Sequence, residues 1–150
     1  MSLAIRLSEL GLFLPTPAVP AGSYLPVKRV GNLIYVSGQL PLQDGKLLAT
    51  GPVPSRCSMA QAQLAARQCV LNALGAIAAV ESTESLTGVL RVGAFINSDN
   101  GFTQQSQVAN AASDLLVELF GSAGRHVRAA VGVNTLPLDA SVEIEFVFLG

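Results

Sequence analysis

The sequence predicts an α+β fold of two layers, a mixed sheet with two main helices laid on one of its faces. Three observations point to it. Hydrophobic patterns of period 2 and period 3.6 alternate in the order strand, strand, helix, strand, helix, strand, strand. Each helix falls between strands, which favours helices gathered on one face of a sheet over a bundle or a sandwich. The 150 residues are 50% hydrophobic and only 13% charged, about half the charged share of roughly 25% usual in a soluble domain. No element is left to cover the second face of the sheet, so that face is expected to meet other copies of the chain. One domain over 1–150 is long enough to bury a core without disulfides or metal.

Leu3, Leu7 and Leu10 keep helical spacing and Gly11 is placed to stop the turn, which predicts a short helix over about 2–11. LPTPAVPAGS then breaks regularity. YLPVKRV and LIYVSG read as strands joined by a tight turn at Gly31-Asn32. The first lies at an edge or bulges, because Pro26 cannot donate to a ladder. QDGKLLATGPVPSRC holds a turn at Asp44-Gly45 and two prolines; it is expected to be a loop with one short strand, and the most mobile part of the chain. Ser58 and Gln61 form a capping-box pair before an Ala- and Leu-rich helix reaching about Val80, whose polar face Gln61, Gln68 and Asn72 mark. VLRVGAFINS is the third clear strand. Asp99-Asn100-Gly101 then turns the chain into a helix from about Thr103 to Phe120, stopped by Gly121. Strands over 127–134 and 141–149 close the chain, joined through TLPLDA.

Composition excludes several function classes. Net charge is −1 and the nine Lys and Arg residues are scattered, so no basic stripe follows a phosphate backbone and nucleic acid is not favoured as a partner. There is no Trp, and Tyr24 and Tyr35 both lie in the first third, a poor platform for base stacking. The longest apolar run, Leu74 to Val80, falls far short of the roughly 18 residues of a membrane span. MSLAIRLSELGL lacks the basic, apolar, small-residue order of a secretion signal, so a cytoplasmic location is expected. Cys57 and Cys69 form no CxxC pair and have only His126 as an imidazole companion; buried free thiols are expected, not a zinc site.

The stretch GRHVRAAVGVNTLP, beginning at Gly124, carries the first candidate chemistry. Alternation puts Arg128, Ala130 and Gly132 on one side of a strand, a guanidinium beside two of the smallest residues. That is either a solvated edge charge or a clamp for a small anion lying on an open floor. In the last strand Glu143 and Glu145 share one face, opposite Val142, Ile144, Phe146 and Phe148. If the last two strands form a hairpin, Glu143 falls opposite Arg128. It then serves either as a cross-strand ion-pair partner or as a base holding water. His126, between Arg125 and Arg128, has no matched nucleophile or second ligand and reads as a loop or surface histidine.

Three segments in order, GNLIYVSGQLP, NAASDLLVELFG, and RAAVGVNTLP followed by VEIE, make the chain resemble the RidA/YjgF family of reactive-intermediate deaminases over nearly its whole length after Tyr24. The resemblance implies a chorismate-mutase-like fold assembled as a homotrimer around a central barrel of sheets, with ligand sites in the clefts between subunits. It implies hydrolysis of small 2-imino or enamino acids to 2-keto acids and ammonia, with no metal or organic cofactor. In that scheme Arg128 grips the substrate carboxylate and Glu143 activates water, while Tyr24, Ser37, Gly38 and Asn110 surround the substrate. The chain departs from the family's usual PARS or PART at the arginine: Val127 precedes Arg128, and Ala129 and Ala130 follow, a less polar pocket. A non-catalytic trimer that binds a small carboxylate or regulates a partner is therefore the alternative. The ribonuclease activity attributed to some relatives needs phosphate contacts, which scattered charge disfavours.

Overall fold

The computed structural model describes residues 2–20 and 22–150, and its helices form where apolar spacing coincides with a cap. In α1 (Leu3–Glu9) the Ser2 hydroxyl accepts from the Ile5 amide, and Leu3 and Leu7 are buried. In α2 (Met59–Ala78) both bonds of the capping box are made, Ser58 Oγ accepting from the Gln61 amide and Gln61 Oε1 from the Ser58 amide, which satisfies two donors that a helix start leaves open. In α3 (Gln105–Phe120) the buried positions Val108, Ala109, Ala112, Leu115, Leu116 and Leu119 keep the i, i+3, i+4 spacing of one face. Gly121, at φ 62°, ends it.

The strands are β1 (Val27–Val30), β2 (Leu33–Gln39), β3 (Leu42–Gln43), β4 (Lys46–Leu47), β5 (Gly88–Asn97), β6 (Val127–Val133) and β7 (Val142–Leu149). Five of them make one mixed sheet in the order β1-β2-β7-β5-β6, and β3 with β4 makes a separate hairpin. The pairs β1–β2, β2–β7 and β7–β5 are antiparallel, whereas β5–β6 is parallel. That parallel pair follows from the chain between them: α3 carries it back across the sheet, as a parallel connection requires. Ile34 and Val36 of β2, Val92, Ala94 and Ile96 of β5, and Ile144, Phe146 and Phe148 of β7 are buried with the apolar sides of α2 and α3. The second face stays open: Tyr35, Leu90, Val127 and Val131 are between 41% and 67% exposed.

Three expectations are corrected. The loop after β2 contains two short strands where one was expected. Asp44 and Gly45 both take positive φ, 53° and 79°, which closes the β3–β4 hairpin. The segment beyond is tied down, since Asp99 accepts from the Ser55 amide and hydroxyl, both at 2.8 Å, and Arg56 pairs with Asp139. Gln68 and Asn72 do not face solvent but are buried. Asn72 Nδ2 donates to the carbonyls of Leu40 and Leu42, 2.9 Å each, and Gln68 donates to Asn72 Oδ1; the buried pair is thereby satisfied and ties α2 to the β2–β3 bend. Finally, β6 and β7 form no hairpin, because β5 lies between them.

Candidate active site

The first cluster grows from an irregularity in β2. Val36 pairs with Phe146 and Gln39 with Ile144, three steps on β2 against two on β7, so one extra residue bulges at Ser37–Gly38. The bulge turns Gly38 onto Glu143: a Cβ at Gly38 would lie 3.0 Å from the carboxyl carbon and 3.2 Å from Oε2. A side chain there would displace the carboxyl. Ser37 donates its hydroxyl to the Leu25 carbonyl at 2.6 Å and its amide to the Pro26 carbonyl at 2.9 Å, which moors the segment carrying the exposed Tyr24. Tyr24, Ser37, Gly38 and Glu143 are thus gathered at one end of β2.

Glu143 itself is only partly exposed and, among the described residues, has no ion-pair or hydrogen-bond partner. The nearby cation is taken, since Arg91 donates to Glu145 at 3.0 Å. Burial first, and the charge of Glu145 second, push the Glu143 carboxyl above its ordinary range. Burial and then Glu143 also push the Cys69 thiol up; it stays protonated and donates to the Gln39 carbonyl at 3.2 Å. Cys57 and Cys69 are both buried and free, as expected. Among the described residues no group of three or more His, Cys, Asp or Glu could hold a metal.

The second cluster sits between β6 and α3. Arg128 Nη1 donates to Asn110 Oδ1 at 2.8 Å and to Ser113 Oγ at 3.0 Å. Asn110 and Ser113 stand three residues apart on α3, the spacing that puts two side chains on one helix face. His126 completes the chain of contacts, its Nδ1 2.6 Å from the Gly124 carbonyl and its Nε2 2.9 Å from Ser113 Oγ. A carbonyl only accepts, so Nδ1 carries a proton; in the neutral ring Nε2 then accepts from the Ser113 hydroxyl, whose oxygen in turn accepts from Arg128. Both hydrogens of Nη1 are spent on α3, whereas Nε and Nη2 have no acceptor among the described residues. That free edge has the fork geometry that fits a carboxylate with two parallel bonds. Sequence reasoning missed Ser113 and set His126 aside as a loop or surface residue; the i, i+3 relation of Asn110 and Ser113 was the readable signal. Ser113→Ala removes the hinge of this chain and is expected to cost about 1 kcal/mol in chemical denaturation, with Ser113→Thr restoring most of it.

The two clusters do not meet within one chain. Arg128 aligns with Val92, which aligns with Phe146, so its side chain is on the helix-covered side. Glu143 aligns with Phe95, and Phe95 with Val131, on the open side. The expected placement of Glu143 opposite Arg128, and with it a cross-strand ion pair, is overturned by the insertion of β5.

Comparison with known proteins agrees with this architecture. A family model described as "YjgF/chorismate_mutase-like, putative endoribonuclease" matches residues 4–149. The chain is 40% identical to Protein TCP17 of Trypanosoma cruzi over 145 residues, 95% of this chain and 91% of that one. It is 32% identical to a 2-iminobutanoate/2-iminopropanoate deaminase of Dermatophagoides farinae over 132 residues, 87% and 88% of the two chains. The crystal structure of Atu1372 from Agrobacterium tumefaciens, a protein of unknown function, superposes with a TM-score of 0.88 at 39% identity, covering 99% of this chain and 91% of that one. Bulged SGQLP strand, arginine strand and closing VEIE strand all lie inside the matched span, and the chain belongs to the RidA/YjgF family of chorismate-mutase-like proteins.

Proposed function

We propose that this protein hydrolyses 2-imino acids to 2-keto acids and ammonia in a site closed between copies of the chain. The observation that carries the reading is the state of the two charged groups. Arg128 keeps an unfilled two-pronged edge, and Glu143 is a carboxylate without a cation partner and with a raised proton affinity. An arginine edge of this kind binds a carboxylate in one orientation. A carboxylate of this kind serves as a general base near neutral pH. In the reaction Glu143 takes a proton from water as its oxygen attacks the carbon of the protonated C=N bond, giving a tetrahedral carbinolamine. The proton passes to nitrogen, the C–N bond breaks as Glu143 takes the hydroxyl proton and the C=O bond of the keto acid forms, and the departing ammonia carries that last proton away as ammonium. The imine is already electrophilic, so positioning supplies much of the acceleration.

Because the two groups lie on opposite faces of one sheet, the reading requires Arg128 of one copy to face Glu143 of another. The open apolar face supports such an assembly, and we propose a homotrimer. Light scattering on a sizing column is expected to return about three times the chain mass of 15.5 kDa. A monodisperse monomer at micromolar concentration would remove both the trimer and the shared site. Ala129 and Ala130, which put no polar group beside Arg128, favour the alternative of a carboxylate-binding trimer without turnover. Ammonia release from an imino acid generated in the assay separates the two readings.

Among the described residues no helix is long and apolar enough to cross a membrane.

A further inference from the structure

A cavity of about 490 Å³ opens beside Gly38, between the proline-rich segment 15–20, the Asn72–Ala76 turn of α2 and the β3–β4 hairpin. Its walls are mostly apolar, with Pro17, Val19, Leu40, Leu42, Ala76 and Leu138 among them. Gly38 belongs both to this wall and to the contact with the Glu143 carboxyl, so a single glycine lies between the cavity and the proposed water-activating group. The proline wall is anchored: the Pro15 carbonyl packs on Gly75 and leaves no room there for a Cβ.

Two properties say what the cavity takes. It offers no place for an anion, since its lining holds no Lys or Arg and one acid, Asp44. Its buried amide is already satisfied, Asn72 spending both N–H groups and its oxygen within the protein, so an apolar guest leaves no polar group stranded. At the mouth, Leu138 takes φ 57°, ψ 20°, a conformation costly for a side chain of its kind, and is 73% exposed. Strain of this kind clusters at ligand sites, and Leu138 shares its positive φ with Asp139 in the same turn.

We propose that this cavity receives the side chain of the substrate, and that the preferred substrates are 2-imino acids with long apolar side chains, branched aliphatic or aromatic, over those with a methyl or ethyl group. The assignment rests on the deamination reading for the placement of the carboxylate and the C=N carbon. Leu138 is a specificity-determining residue in it.

The test is a graded series of 2-keto acids, pyruvate, 2-oxobutanoate, 4-methyl-2-oxopentanoate and phenylpyruvate, titrated by calorimetry. In parallel, ammonia release is followed from the imino acids that an amino-acid oxidase makes from alanine, leucine and phenylalanine. The two largest acids are expected to bind at least about tenfold more tightly than pyruvate. Ala76→Leu, which fills the cavity, is expected to lower that ratio about tenfold. Leu138→Asn, whose side chain tolerates positive φ, is expected to lower it several-fold in a protein at least as stable as the parent. Equal or tighter binding of pyruvate, or a ratio that neither substitution changes, overturns the assignment. If turnover persists without a size preference, only the side-chain assignment falls. Size-selective binding without ammonia release refutes the deamination and keeps the cavity as the ligand's apolar subsite, and binding of no keto acid refutes both.

Discussion

Glu143→Gln is expected to abolish most turnover while leaving the fold and keto-acid binding in place. The amide matches the carboxylate in size and fits beneath Gly38, but it cannot take a proton from water. Ammonia release is therefore expected to fall by about 100-fold or more, the scale of one general base. Calorimetry with a 2-keto acid is expected to give an affinity within a few-fold of the parent. Unchanged turnover would remove Glu143 from the chemistry. The raised proton affinity of Glu143 adds a pH dependence. A carboxyl whose folded-state pKa exceeds its unfolded value holds more protons in the native state, so its contribution to stability is fully present below the unfolded pKa and is lost as pH rises through the folded one. Thermal melts are accordingly expected to show Glu143→Gln more stable than the parent at neutral pH and equal to it well below about pH 4. Activity runs the other way, since the base must be unprotonated: the parent's rate is expected to climb with pH through a midpoint above the ordinary glutamate range.

Arg128→Lys is expected to weaken binding of 2-keto acids by roughly tenfold to a hundredfold, the worth of a charge-assisted hydrogen bond. Lysine preserves the charge but not the geometry. In the parent, Nη1 is committed to Asn110 and Ser113 while the Nε–Nη2 edge remains for the ligand. One ammonium cannot hold two α3 acceptors and both oxygens of a carboxylate in a plane. The loss is expected to be alike for pyruvate and for phenylpyruvate, because the carboxylate is common to both; this distinguishes Arg128 from the cavity residues, which act on the side chain. Equal affinity in parent and variant would reduce Arg128 to a structural link between β6 and α3.

Local features were legible in the sequence. The Ser58–Gln61 cap, the stop at Gly121, the Gly31-Asn32 turn and the burial alternation of β7 depend on neighbours within a few residues, and short-range sterics and hydrogen bonding decide them. The α+β class followed from the order of those features, and the motif residues marked Arg128 and Glu143 as the charged pair worth following. Sequence alternation says which residues share a face of one strand, but not which strand lies next to which. The tertiary structure decided that β5 enters between β6 and β7, because α3 packs on the sheet and returns the chain parallel to β5. That single choice put Arg128 and Glu143 on opposite faces of the sheet. Likewise Gln68 and Asn72 read as part of the polar face of α2, and only packing against the bend after β2 buried them, with Asn72 on its carbonyls. Ser113 and His126 acquired their link to Arg128 only when packing brought α3 and β6 together. Long-range pairing set all three outcomes, and its energy resides in contacts between segments far apart in the chain, so no local pattern carries them.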